Sequence, residues 1–374
     1  MPRTAIVVGA GVGGLAAAGA LARTGWRVTL LERGARLRAD PDGLVLGANG
    51  LAALAALGVT GLDALTAAVP HGGVRRADGH LLGSGGGLTV RAVHRQDLYD
   101  ALVAALGDVD VHTGVAVTDI PELARRPVVT NGHSAWTADL VVAADGVDSA
   151  VRTALAPAAR PVAAGQVAWR AVVPAYRAPA LDAHVEFLGR GLRFIATPLG
   201  GRGVAWTALA PGAARPEPPA TQLDLLARWY ATWPDPVAAL VAATTPADLA
   251  QHPVTALPRP PRYGVPAGPG GFALLGDAAH AMSPHLGHGA SLALEDAVTL
   301  AAALAAGDLH AGLAAYHRAR WPRTAALSRR ARRLAGLQSA RGPLAVRARD
   351  ALISALPPHL LDGGRTLTTW RPPT

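Results

Sequence analysis

Residues 4–34 read TAIVVGAGVGGLAAAGALARTGWRVTLLERG, and no other stretch restricts the fold as strongly. A short apolar run enters a glycine cluster, an alanine-rich helix (14–25) stops at Gly25, and a second apolar run, WRVTLLERG (26–34), ends in an acid. Strands buried on both faces are continuously apolar rather than alternating, so the order predicts a βαβ unit in a parallel sheet. Gly9-Ala10-Gly11-Val12-Gly13-Gly14 fits the pattern Gly-x-Gly-x-x-Gly. Gly9 permits a tight turn, Gly11 lets backbone approach a pyrophosphate, and Gly14 lets the helix pack close to the strand. The helix N-terminus then offers unpaired N–H groups to an anion. Glu32, eighteen residues after Gly14, stands where a carboxylate accepts both hydroxyls of an adenosine ribose. These residues accommodate either FAD or NAD.

A second stretch, ALLGDAAHAMSPHLGHGAS (273–291), places Asp277 at a strand end before His280, His285 and His288. Such residues suit either a metal or a cofactor. A metal trio needs three converging rings with partners behind them, whereas Gly287 and Gly289 flank His288 in a backbone-led turn, so no metal is expected.

Composition removes other chemistries. The chain has no cysteine, and all 35 of its basic residues are arginine. Disulfides, thiol nucleophiles and thiolate metal sites are excluded, as are Schiff bases and a P-loop lysine. Absence of cysteine fits a cytoplasmic location. The net charge of +9 comes without a basic face interleaved with aromatics, so no nucleic-acid partner is expected. The arginine-rich segment 317–349 reads as a solvated helical face. Residues 4–22 are uncharged, but only Arg3 precedes them and their glycines are spaced for a turn, so neither a signal peptide nor a membrane span is expected.

Farther along, a helix of small apolar residues is expected in 44–58, a hairpin region in 71–92, an amphipathic helix over 95–106 and a buried strand over 139–146. Between about 160 and 260 the segments VAWRAVVP, AHVEFLG, LRFIATPLG and GVAWTALAP alternate with Pro/Gly turns as antiparallel strands do. The buried-strand pattern returns in FALLGDAAH (272–280), followed by a long helix over 289–307. The expected architecture is α/β. A Rossmann-like domain (1–70, 91–160 and 262–310) is interleaved with a mainly antiparallel β domain (71–90 and 161–261) and followed by a C-terminal helical segment (311–374).

HRQDLYDAL (94–102), ADLVVAADGVDSAVR (138–152) and LLGDAAHAMSPHLGHGASLALEDA (274–297), after the glycine turn, occur in an order and spacing that resembles the flavoprotein aromatic hydroxylases typified by para-hydroxybenzoate and salicylate hydroxylase. The resemblance spans most of 1–325. It implies FAD held by Gly9, Gly11, Gly14 and Glu32 on its ADP half, with Arg33 close by. It further places Arg95 near the pyrophosphate and ribityl chain, Asp145 in the family's Asp-Gly motif, Asp277 on a ribityl hydroxyl, and Pro284, Gly287, Gly289 and Ala290 at the flavin. His288 replaces the glutamine usual in that turn. His280 falls on a structural histidine, and His285 is the candidate for substrate contact or proton handling.

The implied activity is a monooxygenase using NADPH or NADH and O2. Through a flavin hydroperoxide it would hydroxylate or epoxidise an aromatic, polycyclic or other electron-rich small molecule, in a secondary-metabolic setting. GSGGG (83–87) and GPGG (268–271) lack a strand-helix context, so no separate nicotinamide domain is expected. A flavin halogenase is set aside, since WRAVVP lacks the second tryptophan of that family's motif and the chain has no lysine. The alternatives are an FAD-dependent oxidase or reductase on the same fold, and a non-catalytic flavin-binding protein.

Overall fold

The computed structural model describes residues 2–39, 42–84, 89–121, 126–305, 307–357 and 369–373. Five strands, Gly270–Leu274, Leu140–Ala143, Thr4–Val8, Arg27–Glu32 and Val109–Thr113, form a parallel sheet in that spatial order, and Gly264–Ala267 adds an antiparallel edge. Each central strand is a run of Val, Leu, Ile and Ala, and Val7, Leu30, Val142 and Leu274 are all fully buried, as strands covered on both faces must be. The helix Val12–Arg23 packs beside Gly289–Ala305. Segments nearly 300 residues apart in sequence thereby complete one core.

The second sheet runs Ala250–Ala256, Val162–Val173, Val204–Pro211, Arg193–Pro198, His184–Leu188, Ala67–Arg76, Thr89–His94 and Gly43–Leu46, with Leu81–Gly83 paired beside Ala67–Arg76. It is antiparallel except where His184–Leu188 runs parallel to Ala67–Arg76. Its central strands separate their side chains by the period of two. Phe187, Phe194, Ala196, Trp206 and Ala208 turn into an aromatic core under the helices Pro219–Tyr230 and Val237–Ala243. Their neighbours Glu186, Arg193, Ile195, Thr207 and Leu209 line a cavity instead.

Several expectations meet a different arrangement. Residues 44–46, expected within a small-residue helix, belong to the strand Gly43–Leu46, and the helix is confined to Ala48–Ala56. A Cβ at Gly43 would lie 2.3 Å from that of Ala205, so this short strand packs tightly against the sheet it joins. The junctions expected at 70/71 and 90/91 fall inside the strands Ala67–Arg76 and Thr89–His94. Part of the 71–92 hairpin and of GSGGG (83–87) lies outside the described residues. The two helices between 219 and 243 had no counterpart in the sequence reading, because the β texture around them dominated. The arginine-rich segment is only partly a solvated face. Within the helices Leu309–Gln338 and Pro343–Ala355, Arg320 and Arg349 are buried and hydrogen-bonded.

Candidate active site

A cavity of about 840 Å3 is lined by residues of the antiparallel sheet, by the loops that follow strands of the parallel sheet, and by the C-terminal helices. At one part of its wall stands the glycine turn. Gly9 has φ +96°, and a Cβ there would lie 2.5 Å from the Ala144 carbonyl oxygen; at Gly14 a Cβ would lie 1.8 Å from the Gly9 carbonyl oxygen. Both positions are closed by backbone, so only glycine fits. Gly11 differs. It lines the cavity, and a Cβ on it would meet nothing within 4 Å, leaving the turn's backbone open to a ligand.

Glu32 ties this turn to the end of the second strand. Its carboxylate accepts hydrogen bonds from Ala10 N at 2.7 Å and from Gly34 N at 2.7 Å. Arg33, beside it, is exposed. Arg95 begins the helix Arg95–Ala104 and lines the cavity, with Nη1 3.8 Å from Asp42 Oδ2. Asp42 itself is buried and receives a hydrogen bond from Arg170 Nη1 at 2.8 Å. Asp42 and Arg170 lie 128 residues apart along the chain, so their pairing carries no local sequence signal.

Asp277 opens the short helix Asp277–His280 and is exposed on the cavity wall. Pro284, Gly287, Gly289 and Ala290 line the same wall, where the helix Gly289–Ala305 begins. Its amide dipoles favour negative charge there by about 0.3–2 kcal/mol. Asp145 sits differently. Its neighbours Ala144 and Gly146 face the cavity, while its own side chain turns toward Val151 N and leaves Oδ1 buried without a partner. Burial raises its pKa, against hydrogen bonds from Ser149, Val151 and Ala150.

The three histidines go three ways. His280 Nε2 lies 2.6 Å from Asp296 Oδ2 in a buried network. Asp296 also accepts from Gly276 N and Arg320 Nε, while Glu295 binds Arg320, Arg323 and Asn49. Burial pushes the Asp296 carboxyl up, but His280, Arg320 and these hydrogen bonds hold it below the usual value. His285 is buried on the cavity wall with Nδ1 unpartnered. Burial, and then the nearby positive charge of Arg193, lower its pKa to about 3, leaving it neutral. His288 is partly buried beside Gly47, also with Nδ1 unpartnered. Among the described residues no three His, Cys, Asp or Glu side chains come together as metal ligands.

Opposite the flavin-type features lies a polar group absent from the sequence reading. Arg193 and Glu186 form a two-bonded ion pair at 2.8 and 2.7 Å, and Gln338 Nε2 donates to the same carboxylate at 2.9 Å. The sequence did carry a trace of it: one acid and one arginine in largely apolar strands on either side of the turn Gly189-Arg190-Gly191. No helix among the described residues is long and apolar enough to cross a membrane.

The whole arrangement has known counterparts. The family model for the FAD binding domain matches residues 3–209 and 235–331. The chain is 35% identical over 354 residues to 3-amino-4-hydroxybenzoate 2-monooxygenase of Streptomyces cremeus, covering 88% of this chain and 86% of that protein. It is 36% identical over 332 residues to the 2-heptyl-3-hydroxy-4(1H)-quinolone synthase of Mycobacteroides abscessus, covering 84% and 85%. The crystal structure of Klebsiella pneumoniae HpxO complexed with FAD and uric acid superposes with a TM-score of 0.83 at 27% identity, over 98% of this chain and 96% of that one. With an open glycine turn, an acid on the cavity wall and a helix N-terminus facing it, the residues present fit FAD, and the chain belongs to the FAD-dependent aromatic hydroxylases: it is an FAD-dependent monooxygenase using NAD(P)H and O2.

Proposed function

We propose that the cavity holds the flavin between the glycine turn and the Pro284–Ala290 wall, and an aromatic small molecule between that wall and the antiparallel sheet. The observation that carries this reading is one continuous cavity lined by Gly11, Asp277 and Gly289 as well as by Glu186, Arg193 and Leu209. Gly9, Gly11, Gly14, Glu32 and Arg33 serve the ADP half of the cofactor. Arg95 serves the pyrophosphate region, Asp277 a ribityl hydroxyl, and Asp145 orders the turn through its backbone neighbours.

Bound FAD supplies reduction by NAD(P)H and activation of O2, so that one oxygen atom enters the substrate and the other leaves as water. The chain's own contribution is to bind, orient and exclude water. Leu209, Leu334, Leu337 and Ile353 supply apolar walls. His285, neutral and buried, offers one ring nitrogen for orienting a substrate group without adding charge. The relatives' names, an aminohydroxybenzoate monooxygenase and a hydroxyquinolone synthase among them, support an electron-rich aromatic substrate and its hydroxylation.

The test is the visible spectrum of the purified protein after FAD incubation and gel filtration, followed by NADPH and NADH oxidation with aromatic candidates under isotopically labelled O2. A retained two-band flavin spectrum and labelled product are expected. A colourless, folded protein would remove the reading. Replacement of Asp277 by Ala is expected to weaken FAD by about 10-fold to 100-fold, the worth of a charge-assisted hydrogen bond. Unchanged affinity would remove the ribityl assignment.

A further inference from the structure

We infer that Arg193, Glu186 and Gln338 form a substrate clamp that selects a neutral aromatic ring bearing an acceptor and a donor on one edge, such as a ring carbonyl beside an N–H or O–H, over an aromatic carboxylate. The inference rests on the placement of substrate in this cavity and adds the chemical class.

Three facts carry it. Arg193 and Glu186 are 94% and 92% buried by their exposures of 6% and 8%, yet both line the cavity. The guanidinium spends Nε and Nη2 on the Glu186 carboxylate, leaving Nη1 buried without a partner. Gln338 spends its Nε2 on the same carboxylate oxygen as Arg193 Nε and leaves its Oε1 buried without a partner. A single carboxylate thus holds two side chains of the same cavity lining, one with an unpartnered donor and one with an unpartnered acceptor. Buried polar atoms left unpaired cost about 1–3 kcal/mol each, so a ligand that supplies both complements is favoured and one lacking either is rejected.

Charge decides between ligand classes. The Arg193 guanidinium is already neutralised by Glu186, and His285 and His184, each lowered to about 3 by burial and by nearby positive charge, add none. The other arginines of the cavity are matched elsewhere: Arg91 by Asp63, Arg170 by Asp42, and Arg95, which stands 3.8 Å from that same Asp42, by the pyrophosphate of the bound FAD. A carboxylate entering beside Glu186 would lose its hydration without an unmatched cation to replace it, and it would offer no donor to Gln338 Oε1.

The test is calorimetric titration of the FAD-loaded protein with three probes: quinolin-2(1H)-one, its N-methyl derivative, and quinoline-2-carboxylate. The lactam is expected to bind at least roughly tenfold more tightly than either of the others. Gln338→Leu should erase the difference between lactam and N-methyl lactam while retaining FAD and the melting temperature. Equal or tighter binding of the carboxylate, no binding of the lactam, or an unchanged ratio in Gln338→Leu would overturn the clamp. Failure to retain FAD would count against the cofactor placement instead, and the same heats measured on the FAD-free protein then decide the clamp, since they do not depend on turnover.

Discussion

At the scale of single residues, steric closure and chemical openness alternate within a few positions. Gly14 admits no side chain because the Gly9 carbonyl occupies the site of its Cβ, whereas Gly11 looks into open space. Gly14→Ala is therefore expected to shift the helix Val12–Arg23 off its strand and leave little folded protein, measured as soluble yield and melting temperature. Gly11→Ala should fold with a near-native melting temperature and lose affinity for FAD, read by flavin fluorescence titration. A reversed order, with Gly11→Ala unfolded and Gly14→Ala intact, would contradict this account of the turn. The place of Glu32 at the end of the second strand was legible because the apolar run leading to it is contiguous. Glu186 was not, since its partner Arg193 is a neighbour only once the two strands pair.

At the scale of elements, the helix Gly289–Ala305 joins cofactor wall to core. Glu295 and Asp296 are fully buried on it, and Arg320 and Arg323 reach them from Leu309–Gln338. Asp296 also fixes Gly276 N and His280, and so the loop that presents Asp277. Breaking a buried pair by removing one member costs about 3–5 kcal/mol, because the other charge is stranded. Asp296→Asn is expected to cost stability in that range in chemical denaturation and to weaken FAD binding as well. A loss below about 1 kcal/mol, the ordinary worth of a surface ion pair, would show the network to be peripheral. Helix and acid pair were visible in the sequence as LALEDAV, but the arginines that neutralise them belonged to a segment read as a solvated face. Nothing in an arginine's local spacing separates a buried one from an exposed one.

At the scale of the whole molecule, burial of neutral histidines sets a pH dependence. His184 and His285 are lowered to about 3 and His288 to about 4, each mainly by burial, against about 6.5 when unfolded. The unfolded chain therefore takes up more protons as pH falls, and stability declines from about pH 6.5 toward pH 4 while staying level above it. The raised carboxyl of Asp145 opposes this by at most one proton. Melting temperatures between pH 8 and 4 check the sign, and His285→Gln should flatten the slope; a stability maximum near pH 5 would refute it. The sequence by itself determined the parallel sheet, the glycine turn with Glu32, and the strand-helix passage around Asp277, because each is written in contiguous residues whose period and backbone demands are local. Only the tertiary structure decided that residues 43–46 join the distant antiparallel sheet, that His280 serves Asp296 while His285 faces the cavity, and that Arg193, Glu186 and Gln338 meet. Those outcomes depend on strand register and on desolvation, and both come into being only when segments far apart along the chain exclude water between them.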